Sequence, residues 1–574
     1  MPPRAELALG CFAPCATMRA MRYEGTTLDE EDEEEAAPVV RPPSRTSAWP
    51  RWAGPLFDVA AVVLLTVTAT RVRVGSLPRE GLWFDDSWVA AGAILGRPGQ
   101  LLTVGSGHPA FTAILMAVDR AGGGFWALGV PSLVAGIVAP ALLYIALRYA
   151  RYARVVAALL GAALVVAPIH ILYSGRVKGY TVDTLLVLIL AIAVPWLCRR
   201  RWGWRLAVVW TAAAVICAAL SGYLLVASAS AGVILVLHAK DDRRIRLASV
   251  GAQAVIQAAY LAVARSRTDL AGIEEVMESS FDGHITFYAN PVDFGRELLK
   301  HVRRLAEVYP DGTGAWLTVL ALLALGGLLL GAVRGRSVTE RVLSRWFALM
   351  IGLAFVGALF DQFPFGLSNA AGVSAGGRHA LWMIPGLAFG LAVVGQRAWR
   401  LVARTQVARM VVGSGVLAVA VVIVARGYED ARPAPFPGSG SADEFALDTL
   451  GPDDLLIVTG PSTFDLAIST DTPTHLEDTP THQVGFSPVY EDPRFLVLGG
   501  WTPDQVTGEE LQEAVAEVDR VVVLASGPVG AQVVVPVDEQ LADAGFTQST
   551  HSFEWSTVDV WTRPSAEDEA SEAT

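Results

Sequence analysis

Between about residues 55 and 425, apolar residues fall in long unbroken runs rather than in a strand-like alternation. A helix needs roughly 18–20 such residues to cross a bilayer. The runs near 55–72, 124–147, 154–172, 180–197, 206–220, 222–238, 246–264, 315–333, 346–362, 379–396 and 408–425 predict eleven spans. Pro109 to Val118 (PAFTAILMAV) is apolar for only ten residues before Asp119 and Arg120 interrupt it. That is too short to span, so the pattern predicts a helix lying on the membrane surface.

The basic residues orient this plan. Arg148, Arg151 and Arg154 lie in one connection, Arg199, Arg200, Arg201 and Arg205 in another, and Lys240, Arg243, Arg244 and Arg246 in a third. Arg334, Arg336, Arg341 and Arg345, then Arg397, Arg400, Arg404 and Arg409, complete five clusters. With the N-terminus inside, all five face the cytoplasm, as the positive-inside rule asks. Counting 109–118 as a span would put every one of them outside. The expected organisation is therefore a cytoplasmic tail over 1–52, a membrane domain over 53–426 with its first exterior loop at 73–123, and an exterior domain over 427–574.

Composition agrees with a membrane protein: 53% of residues are hydrophobic, 17% are charged, and mean hydropathy is +0.43. Residues 427–574 hold 4 Lys/Arg and 28 Asp/Glu, while the rest of the chain holds 40 and 28. The tail contains seven consecutive acids, Asp29 to Glu35, and cannot bury a core. The four cysteines fit no zinc, haem or disulfide spacing. Membrane lipids are the expected surroundings, and no nucleic-acid partner is implied.

The exterior segment opens with a Pro/Gly/Ser linker, Pro433 to Ser441. LLIVTG (455–460), RFLVLGG (494–500) and RVVVLAS (520–526) read as buried strands, Gly508 to Val518 as a helix, and HSFEWSTVDVWTRP as a final strand pair. This predicts a small α/β domain. It contains no phosphate loop, and Ser526-Gly527 alone names no nucleophile, so the domain reads as a scaffold or acceptor-facing module. Ala566 to Thr574 reads as a frayed end.

Candidate chemistry gathers on the predicted exterior side. The first loop carries adjacent carboxylates, Asp85 and Asp86, between Trp83 and Trp88, and ends in His108-Pro109. Adjacent carboxylates repel, so one keeps its proton unless a cation or hydroxyl answers the charge. Such a pair suits a general base or a metal ligand, and equally an ordinary solvated loop. YSGRVKGYTVD, between spans 3 and 4, offers Arg176, Lys178, Tyr180 and Asp183; DQFPFGLSNAAGVSAGGRH, between spans 9 and 10, ends in Arg378-His379. Phe294 to Val308 has helical period, with Arg296, Lys300, Arg303 and Arg304 forming a basic face. Cations on this side run against the topological bias. A held phosphate would explain them, as would contact with anionic headgroups.

Eleven spans, an acidic pair in a large first exterior loop, and His-Pro opening a surface helix resemble the polyprenyl-phosphate-dependent glycosyltransferases of the GT-C fold, in particular glycosyltransferase family 39, the protein O-mannosyltransferase and aminoarabinose-transferase group. LYSGRVKGYTVDTLLVLIL and GGRHALWMIPGLAFGLA are similar to segments of that group. The resemblance covers about residues 55–425. His108-Pro109-Ala110 stands where the family has His-Pro-Pro, Arg378-His379 where it has Arg-Tyr, and the family's arginine at the start of span 2 is replaced near Gly129.

The resemblance implies transfer of a sugar from a polyprenyl-phosphate donor to an acceptor on the outer face. In that reading Asp85 is the base, and Asp86 and Asp183 orient the acceptor or share a divalent metal. Arg176, Lys178 and Arg378 meet the phosphate, and His108, Tyr180 and His379 complete the substrate site. The fold class expected is a polytopic α-helical membrane protein, GT-C-like, with a C-terminal exterior α/β domain. A transporter or lipid flippase is the rival, although it would want broken helices and polar groups at mid-membrane depth, whereas most polar residues here cluster at one face, apart from Asp58 near the inner end of span 1. A non-catalytic relative serving as an assembly partner is the third reading. Sugar, acceptor, lipid length and metal need are left open.

Overall fold

A computed structural model of the chain describes residues 53–77, 82, 84–104, 108–239, 241–266, 290–305, 315–360, 375–405, 407–408, 411–415, 418, 440–460, 462–470, 472–478, 486–498, 508–553 and 556–564. The tail over 1–52, Trp83, most of the eleventh predicted span, the linker as far as Ser439 and the end from Ala566 lie outside them.

Among the described residues, seven helices are long and apolar enough to cross a membrane, and three further apolar helices are shorter. In chain order the membrane portion contains α1 (Ala53–Arg73), α2 (Phe84–Ile94), α3 (Pro109–Arg120) and α4 (Val130–Tyr149), then α5 (Arg154–Val165), α6 (Pro168–Leu172) and α7 (Tyr180–Arg199). It continues with α8 (Trp204–Leu220), α9 (Gly222–Leu237), α10 (Arg243–Arg265), α11 (Pro291–Arg304), α12 (Ala315–Arg334), α13 (Val338–Leu359) and α14 (Ile384–Val402). Side chains such as Leu56, Val59, Val63 and Val67 on α1, and Val208 and Val209 on α8, are exposed, as lipid-facing positions are. Trp346, Phe347 and Phe389 are fully buried: Phe347 packs on Phe389 between α13 and α14, and Trp346 beside it donates its indole N–H to the Ala227 carbonyl of α9.

Three predicted boundaries move. The run 154–172 is not one helix: Pro168 has no N–H to continue the ladder, so α5 stops at Val165 and a separate turn, α6, follows. The run 346–362 begins earlier, because the Ser337 hydroxyl accepts the Glu340 N–H at 3.0 Å and caps a helix starting at Val338. Arg341 and Arg345 therefore sit in helix rather than loop. The run 379–396 starts as a 3₁₀ segment, Ala375–Met383, and α14 then continues to Val402, taking in Arg397 and Arg400.

The 12 residues of α3 span about 18 Å, well short of a hydrocarbon core. Mid-depth polarity is richer than the sequence reading allowed. Trp210 Nε1 donates to Gln253 Oε1 (3.0 Å), Gln253 to Gln257 (3.3 Å), and Gln257 to Ser228 Oγ (3.0 Å). Each group is answered by a neighbouring helix, so the ladder joins α8, α9 and α10 rather than lining an open path.

The C-terminal portion is an α/β domain. It comprises α15 (Gly440–Thr449), β1 (Leu455–Thr459), α16 (Ser462–Ser469), β2 (Thr474–Asp478), β3 (Phe486–Tyr490), β4 (Phe495–Leu498), α17 (Gly508–Val515), β5 (Arg520–Ser526), α18 (Gly527–Asp543), β6 (Thr547–Ser552) and β7 (Ser556–Thr562). Gly440 and Ser441, assigned to the linker by sequence, already belong to α15. The main sheet has order β4-β1-β5-β7-β6, parallel where β1 meets β4 and β5, antiparallel where β7 meets β5 and β6. Leu455 and Ile457 face a core shared with α17 and α18; Leu456 and Val458 face one shared with α15 and α16. A strand covered on both sides needs an unbroken apolar run, which is why LLIVT was legible. The hairpin of β2 and β3 stands apart from this sheet and was not foreseen.

Candidate active site

The site is built on α2 and on the turn between α6 and α7. Asp86, in the first turn of α2, is 2% exposed, and its Oδ2 lies 2.8 Å from Arg176 Nε, itself 7% exposed. Asp85 lies in the same turn; its side chain is outside the described residues. Two turns of sequence are thereby fixed against each other, since an isolated buried charge would be far costlier than the pair.

The turn carrying Arg176 is held from below by Arg73, the last residue of α1, which is fully buried. Its guanidinium donates to the Leu164 carbonyl (2.9 Å) and the Val165 carbonyl (3.0 Å) at the open end of α5. It also donates to Ser174 Oγ (3.1 Å) and His170 Nδ1 (3.0 Å), so His170 accepts at that nitrogen. The packing is tight enough to require glycine. A Cβ on Gly136 would come within 2.1 Å of Ser174 Oγ, and one on Gly175 within 1.8 Å of the Ser76 carbonyl.

Lys178 turns back onto α2, with Nζ 3.9 Å from the centre of the Trp88 ring. Its carbonyl accepts the Ser132 hydroxyl at 2.5 Å, and the Ser132 carbonyl accepts from Thr181 at 2.8 Å, tying the turn to α4. Asp183, in the first turn of α7, is buried and accepts the Ser221 hydroxyl at 3.0 Å. Ser221 sits at the break between α8 and α9. His108 comes to the same break, hydrogen-bonded to the Leu220 backbone. The residue keeps partial exposure, but its Nδ1 is shut off from solvent with no partner among the described residues. Burial and the charge of Lys178 pull the imidazole down to about 4, so it is neutral at neutral pH.

The second half of the cluster is aromatic. Tyr180 meets Tyr173 edge-on (5.1 Å between ring centres) and His379 edge-on (6.0 Å). Tyr223 stacks on Trp382 at 5.6 Å and hydrogen-bonds His379 Nδ1. Arg378 Nε lies 3.3 Å from His379 Nε2 and can only donate. The imidazole therefore accepts at Nε2 and carries its proton on Nδ1, which donates to the Tyr223 oxygen.

All nine residues singled out by sequence lie at these junctions. Asp86, Arg176, Lys178 and His108 form one half, and Asp183, Tyr180, Arg378 and His379 the other, with only the Asp85 side chain undescribed. Sequence reasoning missed Arg73, Ser132, Ser221, Tyr223 and Trp382. Ser221 had a faint signal, a polar residue splitting two apolar runs; a fully buried Arg73 at a span end had none. Among the described residues no group of three or more His, Cys, Asp or Glu side chains could hold a metal ion.

The C-terminal domain packs onto this loop. Phe464 of α16, Leu476 of β2 and Phe486 of β3 share one buried apolar cluster with Leu82, Val89 and Ala90 beside Asp86, and with Val104, Phe111 and Leu115. Gln100 Nε2 donates to the Leu476 carbonyl at 3.2 Å. Gly92 lies so near that a Cβ there would touch the Phe486 ring at 3.6 Å. The domain is thus a wall of the candidate site.

The class defined by these features is a multi-pass α-helical membrane protein with an extramembrane α/β domain seated on its first long loop. Among solved structures, the chain is similar to the apo-state ArnT of Cupriavidus metallidurans, at 14% identity and TM-score 0.47, covering 89% of this chain and 98% of that one. At that identity and score the likeness assigns no chemistry to the residues above. No protein-family model and no curated protein matches the chain.

Proposed function

We propose that the chain is a membrane glycosyltransferase that moves a sugar from a polyprenyl-phosphate donor to an acceptor hydroxyl on the outer face. The observation that carries this reading is one cluster in which buried carboxylates (Asp86, Asp183), cations (Arg176, Lys178, Arg378) and aromatic rings (Trp88, Tyr180, Tyr223, Trp382) meet where helices end beneath an extramembrane domain. Three cations against two described carboxylates favour an anionic ligand. The aromatic rings suit the apolar faces of a sugar or the first prenyl units.

In this mechanism the acceptor oxygen attacks the anomeric carbon while a carboxylate takes its proton, a role we assign to Asp85. The bond from that carbon to the phosphate oxygen breaks, and the electron pair leaves with the lipid phosphate. Lys178 and Arg378 absorb the growing charge. Arg176 acts from a fixed position, because Asp86 holds it. Asp183 orients the acceptor through the start of α7, where a carboxylate is favoured by the helix dipole. The orientation, with the basic clusters in the cytoplasm, follows from the positive-inside pattern.

The test is incubation of the purified chain with a panel of polyprenyl-phosphate sugars, reading release of free lipid phosphate. Transfer is expected with at least one donor, and Asp85→Asn should lower turnover by about 10²–10⁴ while donor binding survives. Full turnover in Asp85→Asn would remove it as the base; no release from any donor, with lipid movement instead, would favour the transporter reading.

A further inference from the structure

The opposite end of the bundle holds a second charged cluster that the transfer reading does not use. Helix α14 begins at Ile384, after the 3₁₀ segment that holds Arg378, and carries Arg397 and Arg400 about 20–24 Å further along its axis. There α14 meets the turn between α4 and α5. Gln396 Oε1 accepts the Ala153 N–H at 2.5 Å, and the Tyr152 ring packs edge-on against Phe389 at 6.2 Å. The connection between α12 and α13 adds Arg336, and the first turn of α13 adds Glu340, which is buried. Arg336 stands in the field of Arg400, Glu340, Arg397 and Tyr152, and Tyr152 in that of Glu340, Arg336 and Arg397.

These groups face one another without joining. Arg336, Arg397 and Arg400 make no ion pair or hydrogen bond with any described side chain, and neither does the Glu340 carboxylate. The Arg397 Nε and the Tyr152 hydroxyl are sealed from solvent and have no hydrogen-bond partner among the described residues. Both bring an N–H or O–H to donate, and buried donors in folded proteins are nearly always answered. What is missing is therefore an acceptor. Three guanidinium groups against one carboxylate leave an excess of two positive charges, so the acceptor that fits is an anion. Planar guanidinium groups match the oxygens of a phosphate.

We propose that Arg336, Arg397, Arg400 and Tyr152 form a phosphate-binding site at this end of the bundle, taking the phosphate of a lipid headgroup or a free phosphate ion. Arg397 and Tyr152 grip the phosphate from inside, Arg336 and Arg400 close over it from the exposed side, and Glu340 offsets part of the repulsion between the guanidinium groups. A headgroup so held would pin the ends of α4, α12, α13 and α14 together, on the face that the arginine clusters assign to the inner leaflet.

The site is tested on the purified full chain in neutral detergent, by native mass spectrometry and thermal unfolding, with phosphatidylglycerol, phosphatidylcholine or inorganic phosphate added. Retention and stabilisation by phosphatidylglycerol above phosphatidylcholine are expected if the headgroup is the ligand; stabilisation by inorganic phosphate alone would assign the site to the free ion. Arg397→Gln should weaken the bound species by about tenfold to a hundredfold, the worth of a charge-assisted hydrogen bond. Tyr152→Phe, which removes one hydroxyl and keeps the fold, should weaken it a few-fold. Arg205→Gln, an exposed arginine outside the cluster, should change nothing. Equal losses in Arg205→Gln and Arg397→Gln would reduce the effect to general headgroup attraction and overturn the proposal. Binding that ignores all of these substitutions, or no preference for any phosphate, would overturn it as well. None of these readouts depends on glycosyl transfer.

Discussion

Two carboxylate–arginine arrangements sit at the two ends of the helical bundle, and they are built from the same residue types to opposite effect. Near the candidate active site Asp86 and Arg176 pair at 2.8 Å with 2% and 7% of their side chains exposed. Near the other end Asp58 receives Arg148 at 3.1 Å and Arg154 at 2.9 Å, with Tyr144 donating to the same carboxylate, but exposure there is 26–38%. A half-solvated pair exchanges one hydration for another and contributes little. A buried pair cannot lose a member without stranding the other charge. The half-solvated arrangement can tolerate change; the buried one positions a loop.

The largest effect should therefore come from stranding Asp86. Arg176→Gln is expected to destabilise the chain by about 3–5 kcal/mol in chemical or thermal unfolding, and Asp86→Asn added to it should restore much of the loss. A double substitution no better than the single one would mean that packing, not charge, holds the turn.

Next is the wall that the extramembrane α/β domain lends to the same loop. Phe486→Ala empties a fully buried site between Phe464 and α2, at a cost of about 3–5 kcal/mol if the cavity does not collapse. The loss should register as faster amide exchange in α2 and α16, leaving α10 unchanged. If turnover is also measurable, Phe486→Ala and Asp86→Asn should combine non-additively, because both loosen the same helix. Additive losses, with α2 exchange unaltered, would separate the domain from the site.

A third arrangement, carboxylate against carboxylate, gives a smaller and pH-dependent effect. Burial, then the nearby charge of Asp559, raises Asp538 to about 6, with the Trp561 N–H pulling the other way. The folded state thus holds the proton more tightly than the unfolded chain. Stability from this group is complete below about pH 4 and falls as pH rises towards 6, then stays low. Asp538→Asn should raise the unfolding temperature at pH 7.5 and leave it nearly unchanged at pH 4. A gain of equal size at both values would mean that the carboxylate charge is not the cause.

The smallest effect is at the half-solvated counterpart of the first. Arg154→Gln should cost no more than about 1 kcal/mol, and less at high salt, since Arg148 and Tyr144 still answer Asp58. A loss as large as that of Arg176→Gln would erase the distinction between the two ends.

The sequence by itself determined the elements that depend on one kind of residue repeated locally. Long apolar runs mark helices because backbone polar groups in lipid must be satisfied within the segment. LLIVT and RVVVLAS mark strands because both of their faces are covered. It also singled out residues that lie at helix ends, since cations on the predicted exterior side run against the charge bias. Tertiary structure decided what each of them touches. Nothing local says that Asp86 faces Arg176, that Ser221 reaches Asp183, or that Arg73 lies buried beneath the turn. Nor could the hairpin of β2 and β3 be foreseen: THLED and FSPVY carry little strand signal, and Leu476 and Phe486 acquire their burial from α2, nearly four hundred residues away in the chain. Those arrangements are set by long-range packing, in which a residue's partner depends on how distant helices cross rather than on its neighbours in sequence.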